Sequence, residues 1–353
     1  MTTQWLSEAV AGDELILAGD IGGTNTSFAL VGRTGAKFTV FAKFLFSSRR
    51  LHGLENPIRQ VLEEIRVRTS LRPEKCCLSG AGPVKDNTCV LTNLEWTIDG
   101  NMIERNLGLP TVVINDFTAV SYGITLLDTE DPAQILKLPH SDGSFPEPHG
   151  PVKAVVGAGT GLGVGYLTGS GGKYVAYASE GGHSAFAPFD AETRELQVFL
   201  ECRYGMTPGA EEYVSGQGIA NIYRFFRESG RCPDSAAARE IDALPESDRP
   251  ALIALHSKDD ECCARVMRLF ITMYGRFASN AALFYFPTGG LYIAGGIATK
   301  NAELFLEDGL FMRQFEANYR EHISQVLTTF PVYLVRDYGV SLYGAAQAAH
   351  SLL

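Results

Sequence analysis

Two glycine-rich turns are the segments of this chain best equipped to hold an anion. The first, Asp20-Ile21-Gly22-Gly23-Thr24-Asn25, follows a short apolar run. Without Cβ atoms at 22 and 23, backbone N–H groups can approach an anion and the chain can take positive φ. Thr24 and Asn25 add side-chain donors. Asp20 stands where a carboxylate could hold a hydrated Mg²⁺, a hard ion that shares its shell among carboxylate, water and phosphate oxygens. A plain hairpin turn draws on the same residue types. The second turn, Gly157-Ala158-Gly159-Thr160-Gly161-Leu162-Gly163, alternates glycine. It is not the dinucleotide fingerprint, since the sixth position is Leu162 counted from Gly157 and Val164 counted from Gly159; no G-x-x-x-x-G-K-[ST] occurs either. Two cradles lacking both signatures point to another phosphate-binding solution. A Cβ at Gly23 or Gly159 is expected to fill the space of a phosphate oxygen and to oppose left-handed backbone angles.

Two further segments carry reactive side chains. Asn115-Asp116-Phe117 follows the apolar strand TVVI, and the carboxyl end of a strand opening a helix is where α/β folds place reactive groups. Either Asn115 or Asp116 could instead be the helix N-cap. Glu180-Gly-Gly-His183 follows YVAYAS; a carboxylate and an imidazole three apart, spaced by glycines, can reach one polar ligand. With no second His nearby a metal pair is disfavoured, and a surface turn is the alternative.

The elements that must position these groups can be read from periodicity. Strands are expected at 15–19, 26–31, 37–45, 75–79, 88–91 and 111–114, with a helix carrying Ile58, Val61, Leu62 and Ile65 and another over 117–127. Residues 128–151, rich in proline, read as a loop. A second block starts at Val152: a strand, the glycine turn, the strand VGYL, a further Gly-rich turn and the strand YVAYA. Helices follow at 191–203, 216–229 and 260–285, strands at 290–294 and 331–335, and a final helix at 339–352. LILAGDIGGTNTSFALV and AVVGAGTGLGVGYL share one plan of strand, Gly-Thr turn and strand, which suggests two related halves facing one another across a cleft.

Composition narrows the classes. The 353 residues are 45% hydrophobic and 20% charged, ordinary for a globular chain, with length for two domains. A net charge of −10 argues against nucleic-acid partners. No run of 18 apolar residues suggests a membrane span, and the N-terminus lacks the pattern of a secretory signal, so a cytoplasmic location is expected. The seven cysteines form no C-x-x-C pair and are expected to be reduced thiols serving as small buried hydrophobes.

Taken together, these motifs resemble the sugar-kinase branch of the hexokinase–actin–Hsp70 superfamily, and most closely the bacterial-type glucokinase family. Asp20-Ile-Gly-Gly-Thr-Asn is similar to its first phosphate motif, Asn115-Asp116-Phe117-Thr-Ala to its catalytic segment, and Gly157-Ala-Gly-Thr-Gly-Leu-Gly to its second phosphate motif. Glu180-Gly-Gly-His183-Ser-Ala-Phe-Ala-Pro188 resembles its sugar loop, Glu211-Glu-Tyr-Val-Ser-Gly-Gln-Gly218 the segment after it, and Leu291-Tyr-Ile-Ala-Gly295-Gly296-Ile297 its adenosine motif. The matches run in family order from residue 15 to about 345.

The resemblance implies an α/β, two-domain ribonuclease H-like (actin-like ATPase) fold with a central cleft. The small domain would be 1–115 completed by 339–353, and the large domain 116–338. It implies ATP-dependent phosphorylation of D-glucose at the 6-hydroxyl. Asp116 would be the base, and Asn115, Glu180, His183 and Glu211 the sugar ligands. Asp20, Gly22, Gly23, Thr24, Asn25, Gly157, Gly159, Thr160, Gly161, Gly295 and Gly296 would hold ATP, with Mg²⁺ at Asp20, directly or through water. A homodimer is the candidate assembly. The rival substrates are fructose, mannose or an amino sugar, and the rival class is a non-catalytic sugar sensor on the same fold. The cysteine-rich zinc segment of the related repressor/kinase group is absent, as is a helix-turn-helix stretch.

Overall fold

The computed structural model describes residues 1–353 apart from 93, 171, 172 and 338, and the side chain of residue 170. The second Gly-rich turn expected after VGYL therefore lies partly outside the described residues, as does the expected boundary at 338. The chain forms two compact units: one comprises Met1–Asp128, Leu167–Ala178 and Tyr338–Leu353, the other Thr129–Tyr166 and Ser179–Asp337.

Strict alternation builds the first unit. Its strands are β1 (Thr2–Trp5), β2 (Glu14–Ile21), β3 (Asn25–Thr34), β4 (Lys37–Ser47), β5 (Lys75–Gly80) and, after a small sheet of β6 (Val84–Lys85), β7 (Thr88–Val90) and β8 (Thr97–Asp99), β9 (Thr111–Asn115). The main sheet runs β1-β4-β3-β2-β5-β9. Leu15, Leu17, Phe28, Leu30, Cys76 and Leu78 point to one face, where Ile58, Val61 and Ile65 of helix Glu55–Thr69 cover them. Ile16, Ala18, Ala29, Val31 and Cys77 point to the other and meet Ala345, Ala346, Ala348 and Ala349 of the last helix, Val340–Leu352. Cys76 and Cys77 thus serve opposite faces as small apolar groups.

The second face is packed at backbone distance. A Cβ on Gly344 would lie 1.7 Å from the Ala119 carbonyl, and one on Gly123 2.1 Å from the Val340 carbonyl. The last helix and helix Asp116–Gly123 therefore nest on each other. For this reason the first unit continues past 115 to Asp128, beyond the boundary read from the sequence.

The sheet of β10 (Ile135–Lys137), β11 (Lys153–Ala158), β12 (Leu162–Ser170), β13 (Lys173–Ser179), β14 (Leu291–Ala294) and β15 (Val332–Val335) runs β10-β15-β14-β11-β12-β13. Without β10, its order β13-β12-β11-β14-β15 repeats β4-β3-β2-β5-β9 of the first sheet, so the echo between the two glycine hairpins is a repeat of topology. The core of the second unit lies between β11, β14 and β15 of this sheet and helix Glu261–Tyr285, which contributes Val266, Phe270, Met273, Tyr274 and Phe277.

Two expectations need correction. Residues 128–151 are not purely loop: β10 pairs antiparallel with β15, and buried His140 lies 2.9 Å from Glu316 Oε1 and 2.9 Å from the Phe330 carbonyl. Nor are all thiols reduced. Cys232 and Cys262 form a disulfide with Cα atoms 5.3 Å apart, because the connection after helix Gly216–Glu228 meets the start of helix Glu261–Tyr285 and brings residues 30 apart in sequence together. Cys76, Cys77, Cys89 and Cys263 are free and buried, and burial pushes the Cys76 thiol up to about 12.

One buried carboxylate ties the chain's last helix to its first sheet. Glu14 on β2 lies 2.9 Å from Arg33 on β3, 2.8 Å from Lys75 on β5 and 2.8 Å from His350 near the C-terminus. Burial pushes Glu14 up, but bonds from Lys75, Arg33 and His350 outweigh it and bring the group down to about 2 from an ordinary 4.5. A depressed carboxyl stabilises the fold above its unfolded pKa and loses that contribution as pH falls towards the folded value. Glu14→Gln is therefore expected to cost up to roughly 3 kcal/mol at pH 7, a penalty that shrinks as pH drops from about 4.5 towards 2. Urea denaturation of both proteins across that range measures it, and a pH-independent difference would contradict the clamp.

Candidate active site

In the first unit, three strand ends gather the expected groups. β2, β5 and β9 are parallel neighbours, with Asp20 opposite Ser79, Ile21 opposite Gly80, and Gly80 opposite Asn115. Asp20 and the Asn115-Asp116 step thus leave the sheet at the same carboxyl edge, the side on which open α/β sheets bind ligands. Asp20 accepts hydrogen bonds from Ser341 Oγ at 2.7 Å and Ser79 Oγ at 3.4 Å. Burial pushes its carboxyl up against the pull of those two hydroxyls. Ser48, fully buried, shapes the turn that follows. Its hydroxyl donates to the Gly22 carbonyl at 2.6 Å and lies 2.8 Å from Thr26 Oγ1, while its N–H donates to the Thr24 carbonyl at 2.9 Å. Thr24 and Asn25 are left exposed.

The cap of helix Asp116–Gly123 is Asn115. Its Oδ1 accepts from Phe117 N–H at 2.9 Å and Thr118 N–H at 3.3 Å, while Nδ2 donates to the Gly82 carbonyl at 3.2 Å. Asp116 occupies the first helical position, where its Oδ1 accepts from Phe117 N–H at 2.9 Å. Asn115 therefore offers an outside ligand only what those bonds leave.

In the second unit the expected segments meet at Leu162. Glu211 Oε2 accepts from Leu162 N–H at 2.7 Å and lies where a Cβ on Gly161 would come within 2.3 Å. A Cβ on Gly182 would lie 1.8 Å from the Leu162 carbonyl, so the Glu180–His183 loop rests directly on that peptide. Ala210 N–H donates to the Ser184 carbonyl at 2.8 Å, locking the Glu180–His183 loop to the segment around Glu211. Glu180 and His183 stand 3.8 Å apart with side chains 75% and 67% exposed, open to a ligand.

The nucleotide-type glycines converge in the same unit. β11 and β14 are parallel, with Gly157 opposite Ala294, so both glycine turns leave one sheet edge. A Cβ on Gly295 would come 2.5 Å from the Ala158 carbonyl. Gly216 N–H donates to the Gly159 carbonyl at 2.8 Å, which sets the first turn of helix Gly216–Glu228 against the cradle. Buried Tyr274 fixes the strand end: its hydroxyl accepts from Ala158 N–H at 3.1 Å and donates to the Val156 carbonyl at 3.2 Å. The expected left-handed angles are absent at Gly23 and Gly159; among the site glycines only Gly295 has positive φ, at 90°. Gly159 is instead a clearance, since a Cβ there would meet nothing within 4 Å.

Sequence reading missed Ser48, Ser79, Ser341 and Tyr274. Isolated hydroxyls far apart in the chain carry no pattern, and only the fold brings them to the motifs.

A sequence model of the glucokinase family matches residues 17–352. The chain belongs to that family. A glucokinase of Nostoc punctiforme is 37% identical over 96% of this chain and 99% of its own, and one from Yersinia pestis 34% over 93% and 94%. The crystal structure of a glucokinase from an Antarctic psychrotroph superposes with a TM-score of 0.78 at 29% identity, covering 96% of this chain and 99% of that one. The α/β fold is the actin-like ATPase fold of the family, and the chain is an ATP-dependent kinase of glucose. Among the described residues no helix is long and apolar enough to cross a membrane.

The two kinds of glycine separate in a test on the glucokinase. Gly182→Ala drives a methyl into the Leu162 carbonyl and displaces the sugar loop, so the glucose KM is expected to rise at least tenfold. Gly159→Ala meets no protein atom and is expected to leave the melting temperature within about 1 °C, changing the ATP KM alone. Steady-state kinetics and thermal denaturation check both; an unaltered glucose KM in Gly182→Ala would remove the loop from sugar binding.

Proposed function

We propose that this glucokinase transfers the γ-phosphoryl group of ATP to the 6-hydroxyl of D-glucose with Asp116 as general base. The observation that carries this assignment is the division of labour at the end of β9. Asn115 already caps the helix, so the carboxylate beside it is not needed for capping. Phosphoryl transfer asks for positioning and charge stabilisation, with a group to take the hydroxyl proton as the new bond forms. Glu180, His183 and Glu211 grip the other sugar hydroxyls, and Asn115 adds an amide donor. A pocket that bonds each hydroxyl discriminates strongly against sugars lacking one.

The phosphates are held by Gly22–Asn25 and Gly157–Gly161, and the adenosine by Gly295-Gly296. The described residues include no cluster of three metal-ligating side chains. A single carboxylate suits Mg²⁺, which keeps most of its water and binds through substrate phosphates. Asp20, buried and bonded to the hydroxyls of Ser341 and Ser79 with no cation beside it among the described residues, is the residue that would hold the ion. When bound with ATP, Mg²⁺ would supply neutralisation of the phosphate charge. Such an enzyme belongs in the cytoplasm, where its nucleotide is.

Asp116→Asn keeps the side chain's size and leaves the Asn115 cap untouched, so stability and glucose affinity should change little. An amide cannot accept the proton, and kcat should fall about 10²–10⁴-fold. Calorimetry with glucose and steady-state turnover read the two effects separately. Turnover within a few-fold of wild type would overturn the assignment.

A further inference from the structure

The second unit contains a solvent-open cavity of about 480 Å³ beside the segment that leaves the sugar loop, lined in part by Phe189. Its lining includes one cation, Arg276, and no carboxylate. The guanidinium is half-buried. Nε donates to Gln314 Oε1 at 3.0 Å, Nη1 donates to the Ala317 carbonyl at 2.7 Å, and the group lies 5.0 Å over the Phe189 ring. Nη2 makes no hydrogen bond among the described residues. Held this way on two edges and one face, the guanidinium presents its remaining edge in a fixed orientation, the fork geometry that suits an oxyanion.

The rest of the lining is made of neutral donors. Ser279, Asn280, Asn318 and Tyr319 border the same space. Asn318 uses Oδ1 to accept from Arg320 N–H at 3.0 Å, which leaves Nδ2 to donate elsewhere. Burial pushes Arg276 down, and the nearby charge opposing that is Asp190. Oδ1 of Asp190 is itself occupied, accepting from Thr193 N–H and Oγ1, each at 2.7 Å. The cation is desolvated and undercompensated, in a space of the size that small-molecule sites have.

We propose that this cavity is a binding site for a small organic oxyanion, a phosphate or carboxylate carried on a polar body. The site is separate from the residues that grip the transferred group. Because Phe189 is six residues past His183, an occupant stacks on the chain that leads out of the sugar loop and acts on the glucose KM rather than on kcat.

The test is calorimetry on the full chain with glucose and a non-hydrolysable ATP analogue both saturating, at constant ionic strength. The probes are glucose 6-phosphate, citrate and inorganic phosphate. At least one is expected to bind, and the binding to weaken tenfold or more in Arg276→Gln and in Asn280→Asp. Asn280 is exposed, so Asn280→Asp keeps the fold and decides the matter if Arg276→Gln does not fold. Binding by glucose 6-phosphate alone identifies a sugar phosphate, by citrate alone a carboxylate, and by inorganic phosphate as well a site for the bare anion. No binding with the active site filled, or binding unchanged in Asn280→Asp, would overturn the proposal.

Discussion

The site in the second unit depends on one peptide group. The N–H of Leu162 is held by Glu211, and its carbonyl is covered by Gly182 at a distance no side chain would permit. Through that group, three segments that are far apart in sequence acquire one geometry: the second glycine turn, the Glu180–His183 loop and the segment around Glu211. Glycine at 161 and 182 matters because it lets carboxylate and backbone come close to the strand. A backbone-on-backbone contact has no rotamers to relax through, so it positions its neighbours more firmly than packed side chains would.

The same economy appears in both sheets. In each, a three-stranded meander is followed by two further strands in the same order, and the reactive or glycine-rich segments leave at the carboxyl ends of parallel strands. Parallel strands point all their carbonyl ends one way, so the loops at that edge can cooperate on one ligand while the opposite edge stays free to carry stability alone. The repeated hairpins have diverged in detail. The first turn is set by the buried hydroxyl of Ser48, the second by Gly216 and Tyr274.

Much of this is legible in the sequence. The apolar run LILAG, the tendency to alternation in KFTVFAKFL, glycine punctuation and the position of Asn115-Asp116 after TVVI place the strands and the motifs within about three residues, because those signals are local. Sequence alone leaves the helix N-cap between two residues, since Asn and Asp cap equally well and only hydrogen-bond geometry separates them. The edge strand Ile135–Lys137 was hidden because three residues carry too little periodicity, and its partner β15 lies almost 200 residues away. The Cys232–Cys262 bond was hidden for a similar reason. No spacing rule joins two cysteines that become neighbours only when the connection after one helix meets the start of another. The conformations of Gly23 and Gly159 were misjudged because the absence of a side chain can serve clearance as well as positive φ, and sequence does not tell the two apart.

The composition of the first unit has a consequence for the chain as it is made. The face bearing Ile16, Ala18, Ala29, Val31 and Cys77 is closed by a helix that begins at Val340, near the end of the sequence. A ribosome adding about 5–20 residues per second needs roughly 10–45 s to travel from the end of β9 to that helix. Throughout that interval the nascent first sheet has one apolar face finished and the other covered only by Ala119 and Tyr122 of helix Asp116–Gly123, while the second unit, whose strands and helices all precede the last helix, can complete itself. The unit that starts first therefore finishes last. A growing chain of this topology carries an incompletely covered apolar face until its last helix is made, and truncation of the final dozen residues would leave that face open.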